Sequence, residues 1–141
     1  MAEIKRNTRI LILDDDENIL ESVSTALQDA GYLVDAARNA RDAVEKSEAN
    51  FYNLALVDIR LPDIEGTNLL TGMKEMRPET ILIILTGYPS LQNAVEALNN
   101  GADGYLTKPI EMEELLRVVQ THLKKQKELF LYLLEDENPS P

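Results

Sequence analysis

The sequence predicts a three-layer α/β domain built on a five-stranded parallel sheet. Short apolar runs recur along the 141 residues, and buried parallel strands have this composition. Segments with helical periodicity lie between the runs. The two kinds of segment alternate as five strand–helix pairs, which implies right-handed crossovers and helices on both faces of the sheet.

The strand candidates are short and are bounded by polar residues. Residues 10–13, 54–57, 81–85 and 105–107 are the apolar runs, and residues 32–37 form a further short candidate. Five such strands permit the flavodoxin-like order 2-1-3-4-5, in which the first and third strands are central neighbours. The alternation follows from the pattern, whereas this order depends also on analogy with known folds.

The helices carry start and stop signals. Gly31 is placed as the C′ glycine of the first helix, and Asn39 as the N-cap of the second, with Asp42 at N3. Pro78 follows the third helix, and residues 99–101 stop the fourth. The apolar or small residues at helical spacing are Ile19, Leu20, Val23, Leu27, Ala30, Ala40, Ala43, Val44, Ser47, Leu69, Leu70, Met73, Met76, Leu91, Ala94, Val95, Leu98, Met112, Leu115, Leu116 and Val119.

Composition excludes several classes of function. The net charge of -11 opposes binding to nucleic acid or to anionic membranes, so we expect neither partner for this chain. With no cysteine there is no disulfide, no thiolate nucleophile and no cysteine metal site. No apolar stretch is long enough to span a bilayer, and the N-terminus lacks an apolar signal core. We expect a soluble cytoplasmic protein.

The last predicted helix is longer than a sheet-covering helix needs to be. It extends over residues 111–135, about 37 Å at about 1.5 Å per residue. Leu129, Leu131 and Leu134 add apolar surface near its end, which is a liability unless a partner covers it. Residues 136–141 are expected to be a disordered tail. A heptad-like apolar seam, interrupted by Gln126, runs along the last predicted helix. It is formed by Met112, Leu116, Val119, Leu123, Gln126, Phe130 and Leu133.

Polar residues suited to phosphate or metal chemistry follow four of the apolar runs. Residues 14–16 are all aspartate, Asp58 and Thr86 end the third and fourth runs, and Lys108 follows the fifth strand. Open α/β sheets bind ligands outside the carboxyl ends of their strands, so these residues are expected to meet in one crevice. Crowded carboxylates repel each other, and a hard cation such as Mg²⁺ relieves that repulsion.

Each of these residues also has a purely structural interpretation. Asp58 could be a nucleophile, a metal ligand or the cap of the following loop. The aspartates at 14–16 could cap the first helix. Thr86 could be an ordinary strand-end residue and Lys108 a solvated lysine, although its place before a proline argues against that. His122, beside two lysines, is expected to be solvated rather than reactive.

Four stretches in this order resemble the receiver domain of bacterial response regulators, most closely those of NtrC-type transcriptional activators. They are ILILDDDE at 10–17, LVDIRLPDIEG at 56–66, ILTG at 84–87 and GADGYLTKP at 101–109. The resemblance covers about residues 8–124. It implies a (βα)5 flavodoxin-like fold and a Mg²⁺-dependent phosphotransfer onto aspartate.

The resemblance also implies the role of each site residue. Asp58 resembles the phospho-acceptor, and Lys108 resembles the lysine that contacts the phosphoryl group. The Lys-Pro bond is usually cis in this family, so we expect Lys108–Pro109 to be cis. Thr86 and Tyr105 resemble the switch pair. The implied Mg²⁺ ligands are Asp15, Asp58, the backbone carbonyl of Arg60 and, through water, Asp14. Gly87 leaves room for the phosphoryl group, and Arg60 and Tyr88 occupy positions that tune dephosphorylation.

The expected partners follow from the same resemblance. A sensor histidine kinase would donate the phosphoryl group. Phosphorylation would then alter a homodimer formed through the C-terminal helix or through the face of the fourth helix, fifth strand and fifth helix. An output domain would follow if the chain is part of a longer protein. We expect a receiver domain over residues 1–124, a helical dimerisation or linker extension over 125–135 and the tail at 136–141.

Two other functions are considered. In a haloacid-dehalogenase-like phosphatase Asp14 would be the nucleophile, with Asp16, Thr86 and Lys108 in support, but Asp58 would be idle and the late acidic pair is missing. A phosphorylation-independent dimerisation module would fit the helical seam but not an intact reactive set.

Overall fold

The computed structural model describes residues 7–58, 66–87 and 91–137. Within these ranges strands and helices alternate. The elements are β1 (Arg9–Leu13), α1 (Glu17–Asp29), β2 (Leu33–Ala37), α2 (Ala40–Ala49), β3 (Leu54–Asp58), α3 (Gly66–Met76), β4 (Ile81–Thr86), α4 (Leu91–Asn99), β5 (Gly104–Thr107) and α5 (Met112–Glu137).

The sheet is parallel throughout and has the order β2-β1-β3-β4-β5. The predicted fold class, a flavodoxin-like (βα)5 sandwich with an extended C-terminal helix, is therefore confirmed. Strands β3 and β4 are buried along their whole length. That burial explains why their sequences are continuous apolar runs rather than alternating ones.

Two apolar cores lie on opposite faces of the sheet, because successive side chains of a strand point to opposite sides. In β1, Leu11 and Leu13 face the core beneath α2, α3 and α4. Ile10 and Ile12 face the core beneath α1 and α5. The strands are thus clamped between two helical layers, and only their ends remain available for polar chemistry.

The predicted helix signals act as expected. The Asn39 side chain accepts a hydrogen bond of 2.8 Å from the backbone N–H of Asp42 and caps α2. Gly31 follows the C-cap of α1 with a φ of 103°. Glycine occupies that left-handed conformation without the steric cost that a Cβ brings.

The apolar pattern of α4 does not match its buried face. Val95 and Leu98 are 47% and 52% exposed, whereas Ala97 is buried. The helical spacing that would direct Val95 and Leu98 into the core therefore predicts the wrong face at these two positions. The small Ala97 side chain lets the helix lie close to the sheet, and the larger residues form an apolar surface on its outer side.

Beyond residue 124, helix α5 still contacts the segments that precede β3 and β4. Gln126, which interrupts the apolar seam, is 8% exposed. Its Nε2 donates to the carbonyl oxygens of Asn53 and Glu79, both at 2.9 Å, and its Oε1 accepts from Asn53 Nδ2 at 3.2 Å. The seam therefore packs on this domain at Gln126, two residues beyond the expected end of the receiver body at residue 124. The helix ends at Glu137 rather than 135, and residues 138–141 lie outside the described residues.

No helix within the described ranges combines the length and apolar character needed to cross a bilayer.

Replacing Gly101 by alanine is expected to destabilise the domain by about 1–3 kcal/mol, the usual cost of a strained backbone conformation. Gly101 has a φ of 107°, and a Cβ there would lie 2.6 Å from Lys74 Cγ. Lys74 cannot move freely because its Nζ pairs with Asp103 at 2.9 Å. Urea denaturation measures the change.

Gly72→Ala is the matched control for that substitution. Gly72 lies within α3, and a Cβ there would meet nothing within 4 Å. Helix propensity predicts a gain of roughly 0.5–1 kcal/mol. Equal effects at positions 72 and 101 would contradict the assignment of strain to Gly101.

Candidate functional site

The residues predicted to form the site meet in one crevice at the carboxyl ends of four strands. These are the three inner strands β1, β3 and β4 and the edge strand β5. Asp14 follows the last residue of β1, and Asp58 is the last residue of β3, its neighbour in the sheet. Thr86 is the last residue of β4, and Lys108 follows β5. The residues meet because parallel strands end at the same edge.

Lys108 connects two of the carboxylates. Its Nζ lies 2.7 Å from Asp14 Oδ2 and 3.1 Å from Asp58 Oδ2. Its backbone N–H donates to the Thr86 carbonyl at 2.7 Å, and the Lys108–Pro109 bond is cis, as expected. The side chain is only 19% exposed. The interpretation of Lys108 as a solvated surface lysine is therefore wrong.

Asp14 is a fully buried carboxylate. Its Oδ1 accepts a hydrogen bond of 2.9 Å from the backbone N–H of Asp16, and Oδ2 faces Lys108. Burial raises the pKa of Asp14, and the hydrogen bonds from Lys108 and Asp16 offset this only in part. Burial by itself would lower the pKa of Lys108, but Asp14 and Asp58 together raise it. The lysine is therefore held as a cation.

Three carboxylates converge beside this lysine. One oxygen from each of Asp14, Asp15 and Asp58 lies within 4.8 Å of the others, and Asp15 is exposed to solvent. Three negative charges against one lysine leave an excess of two, which hard oxygen-loving cations neutralise. The donor set therefore fits Mg²⁺. The expected further ligand, the Arg60 carbonyl, lies outside the described residues, as does Tyr88.

The three consecutive aspartates have different environments. The carboxylate of Asp16 accepts hydrogen bonds from the backbone N–H groups of Asn18 at 2.9 Å and Ile19 at 3.4 Å, so it caps α1. The capping interpretation left open for residues 14–16 thus holds for Asp16 alone.

Thr86 and Tyr105 lie on the neighbouring strands β4 and β5. Thr86 is buried, with 1% exposure. Tyr105 is half-buried against the core beneath α2, α3 and α4, and its hydroxyl has no hydrogen-bond partner within the described part of the chain. Gly87 is exposed, and a Cβ there would meet nothing within 4 Å among the described residues. Among the described residues, nothing therefore fills the space beside Gly87.

His122 is far from being a solvated side chain. It is half-buried, and its Nε2 lies 3.1 Å from the point that a Cβ on Gly104 would occupy. Burial lowers the pKa of His122, with a smaller contribution from Lys125. The expectation that His122 is solvated is wrong because α5 lies against β5. Gly104 makes that approach possible, and this packing role was not visible in the sequence.

A family model for the response regulator receiver domain matches residues 10–120, which are most of the chain. The chain belongs to the response regulator receiver domain family. This receiver domain is 36% identical over 117 residues to the transcriptional regulatory protein DltR of Streptococcus agalactiae. The match covers 83% of the receiver domain and 52% of DltR, so the chain spans about half the length of that relative.

Solved structures support the same family. A CheY-like receiver domain protein from Methanospirillum hungatei is 45% identical, with a TM-score of 0.83 over 86% of this chain and 97% of that one. The beryllofluoride-activated NtrC4 receiver domain dimer is 33% identical, with a TM-score of 0.80 over 84% of this chain and 97% of that one. Receiver domains are signalling domains of two-component systems, and this family places the chain among them. The resemblance to receiver domains of NtrC-type activators agrees with the match to the NtrC4 receiver domain. The match to DltR shows that the chain is similar to other response regulators as well.

Proposed function

We propose that this receiver domain accepts a phosphoryl group on Asp58 from a phospho-histidine of a sensor histidine kinase. One observation carries the proposal: Asp58, at the end of a central strand, lies 3.1 Å from Lys108 Nζ and within 4.8 Å of two further carboxylates. This arrangement supplies a nucleophile, a fixed cation and a cation-binding group together.

In the proposed reaction an oxygen of Asp58 attacks the phosphorus atom while the phosphorus–nitrogen bond to the donor histidine breaks. Lys108 holds a phosphoryl oxygen through a charge-assisted hydrogen bond, and Thr86 donates its hydroxyl to another. Asp14, Asp15, Asp58 and the Arg60 carbonyl would hold Mg²⁺. When bound, Mg²⁺ neutralises the charge of the phosphoryl oxygens and the carboxylates. The protein acts mainly through positioning and electrostatics.

The acyl phosphate on Asp58 is labile, and water hydrolyses it at the same site. The chain thus catalyses its own phosphorylation and dephosphorylation but turns over no separate substrate. The phosphoryl group adds a charge of roughly -1.5 to -2, which draws Thr86 toward it and lets Tyr105 follow. Complete switching requires the phosphoryl group to favour one state by about 5.5 kcal/mol.

The output is proposed to be a change in homodimerisation. The outer side of α4 has Val95 and Leu98 exposed. That exposed apolar surface and the extended α5 supply two places for a second copy. In a longer protein an output domain would be controlled in this way; the relative DltR is a transcriptional regulatory protein. A cytoplasmic location is part of this proposal.

We propose that the chain divides into a receiver domain over residues 1–124, a dimerisation or linker helix over 125–135 and a tail over 136–141. Gln126 bonds to Asn53 and Glu79, which supports a gradual departure of α5 from the body rather than a sharp boundary at residue 124.

Incubation with acetyl phosphate and Mg²⁺ tests the proposed acceptor. We expect intact-mass spectrometry to show one phosphoryl group, and peptide mapping after borohydride reduction to place it on Asp58. Hydroxylamine should remove it, because an acyl phosphate is attacked at its carbonyl group. Modification of Asp14 instead would support the phosphatase alternative, and no modification would support the dimerisation module.

Mg²⁺ is expected to stabilise the domain because it binds the folded carboxylate cluster. At a concentration 100 times its Kd the gain is about 2.7 kcal/mol, measured as a shift of the urea midpoint. Asp15→Asn should remove most of this gain with little effect on stability without Mg²⁺, since Asp15 is exposed. Asp29→Asn, an equally exposed aspartate at the end of α1, is the control and should retain the full Mg²⁺ response.

A further inference from the structure

Two grooves lie along α5, one on each side of Gln126. The lysine groove has a volume of about 580 Å³, and its lining includes Tyr32, Leu123, Lys124, Lys127, Phe130 and Leu131. The mixed groove has a volume of about 460 Å³, and its lining includes Glu79, Asp103, His122, Lys125, Leu129 and Leu133. Both volumes fall within the range of about 300–1,000 Å³ that is typical of sites for small molecules.

The lysine groove has an apolar base. Tyr32 is buried, Leu123 is partly buried, and both belong to the core beneath α1 and α5. Phe130, which is half-buried, and Leu131, which is 50% exposed, continue this apolar surface along α5. A ligand with an apolar body would remove this surface from water, which is the main source of affinity in such sites.

The polar groups at this base are neutral, and the amides already have partners. Asn53 Nδ2 donates to Gln126 Oε1 at 3.2 Å, and both residues line the groove. Burial raises the pKa of Tyr32, so its hydroxyl stays protonated near neutral pH. An apolar ligand body would therefore cover no charged group at the base.

The rim of the lysine groove is positively charged. Lys124 and Lys127 are exposed, and they lie on one side of α5 because they are three positions apart. Lysine stems pack along apolar surface while the ammonium group stays in water. Within the described ranges no acidic residue lines the groove and neither lysine makes an ion pair. Glu128 follows Lys127 but lies about 100° further round the helix, outside the lining.

The mixed groove differs from the lysine groove in its charge. Lys74 also lines it, but its Nζ pairs with Asp103 at 2.9 Å. Lys125 shares the groove with the acidic Glu79, and burial lowers the pKa of His122 so that it is neutral near pH 7. Two basic and two acidic residues therefore balance there. Only the lysine groove combines an apolar base with an uncompensated positive rim, in a chain of net charge -11.

We propose that the lysine groove binds a small amphipathic anion, a carboxylate carried on an apolar chain or ring. The carboxylate would lie beside Lys124 and Lys127 and accept charge-assisted hydrogen bonds from them, and the apolar body would lie against Phe130. Thr8 and Asn53, which also line the groove, precede β1 and β3, so the groove is at the amino-terminal edge of the sheet, whereas Asp58 ends β3. The ligand would thus contact α5 from a site separate from the proposed phospho-acceptor.

Three probes with the same apolar chain and different head groups test the proposal. Octanoate, octan-1-ol and octyltrimethylammonium are titrated separately, below their micelle concentrations, into the ¹⁵N-labelled chain, and amide NMR shifts are followed. We expect octanoate to shift the signals of Tyr32, Leu123 and Lys127 and to bind about fivefold more tightly than octan-1-ol, the effect of one favourable exposed ion pair. The cationic probe should bind most weakly. Equal affinities for the three probes, or octanoate shifts confined to the mixed groove, would overturn the proposal.

Substitutions on the two sides of α5 provide matched controls. Lys124→Gln/Lys127→Gln should remove the preference for octanoate over octan-1-ol, and Leu131→Asn should weaken the binding of both. Lys125→Gln and Leu129→Asn change equally exposed residues of the mixed groove and should leave both affinities unchanged. Circular dichroism verifies that each variant folds. Equal losses in the variants of the two grooves would contradict the assignment of the ligand to the lysine groove.

Two further measurements exclude other occupants of the lysine groove. If the same NMR signals move on dilution without a probe, a second copy covers the groove and the proposal fails. Octanoate binding that appears only after deletion of residues 1–6 would assign the groove to the N-terminal segment of the chain and would also overturn it. Acetyl phosphate labelling of Asp58 should be unchanged in Lys124→Gln/Lys127→Gln, so failure of ligand binding is separable from failure of phosphotransfer.

Discussion

Asp58→Asn is expected to abolish phosphorylation by acetyl phosphate while leaving the fold intact. An amide oxygen cannot form the acyl phosphate, so the loss should be complete rather than partial. The variant should also lose most of the Mg²⁺ stabilisation, because one of three converging carboxylates is gone. Mass spectrometry and urea denaturation with and without Mg²⁺ measure the two effects.

Stability without Mg²⁺ should change by no more than about 1 kcal/mol, because two opposing electrostatic effects are removed together. Asp58 loses its attraction to Lys108 at 3.1 Å but also its repulsion from Asp14. Asp42→Asn is the comparison at a distance from the site: Asp42 pairs with Lys46 on α2 and should leave phosphorylation unchanged. Residual labelling of Asp58→Asn at another carboxylate would refute the assignment of the acceptor.

Lys108→Met is expected to be the most destabilising substitution in the site, at about 3 kcal/mol near neutral pH. Methionine keeps the volume of the side chain but removes the cation that faces Asp14 at 2.7 Å. Asp14 is fully buried, so its charge would be left without a partner. Phosphorylation should fall strongly as well, since no other described cation lies at the crevice.

The pH dependence of this variant has a definite sign. Burial already holds the pKa of Asp14 above 3.8, and loss of the lowering contribution of Lys108 raises it further. A carboxyl whose folded pKa is raised favours the folded state below its unfolded pKa, and this contribution is lost as pH rises through the folded value. The stability deficit should therefore be largest near neutral pH and shrink in acid.

Asp14→Asn/Lys108→Met separates the charge effect from a packing effect. If the deficit comes from the unpaired Asp14 charge, the second substitution should restore most of the stability and leave phosphorylation impaired. A double variant as unstable as Lys108→Met at neutral pH would show that the loss comes from packing around the lysine stem instead. Urea denaturation at several pH values gives the comparison.

The sheet and the site could be predicted because their signals are local in sequence. A buried parallel strand is a short apolar run, and the residue that ends it is its neighbour in the chain, as Asp58 is for β3. The strand order could be predicted only by analogy with known folds, because the pairing between β1 and β3 joins residues more than 40 positions apart. The roles proposed for the site residues come from the family resemblance, and their meeting comes from the parallel arrangement of the strands.

The surface of the helices was less predictable, because helical spacing identifies an apolar stripe but not what the stripe contacts. Val95 and Leu98 have core-like spacing and yet face outward, while Ala97 packs inward. The three aspartates at 14–16 are alike in sequence, but only the folded chain separates the cap at Asp16 from the pair that faces Lys108 and solvent.

The sequence by itself determined the alternation of strands and helices and which polar residues stand at the strand ends, since both are set by neighbouring residues. Only the tertiary structure decided how α5 is used. Gln126 interrupts an apolar seam in sequence, yet it fixes the helix to Asn53, 73 positions away. Burial of a polar group depends on whether distant backbone groups complete its hydrogen bonds, and no local pattern carries that information.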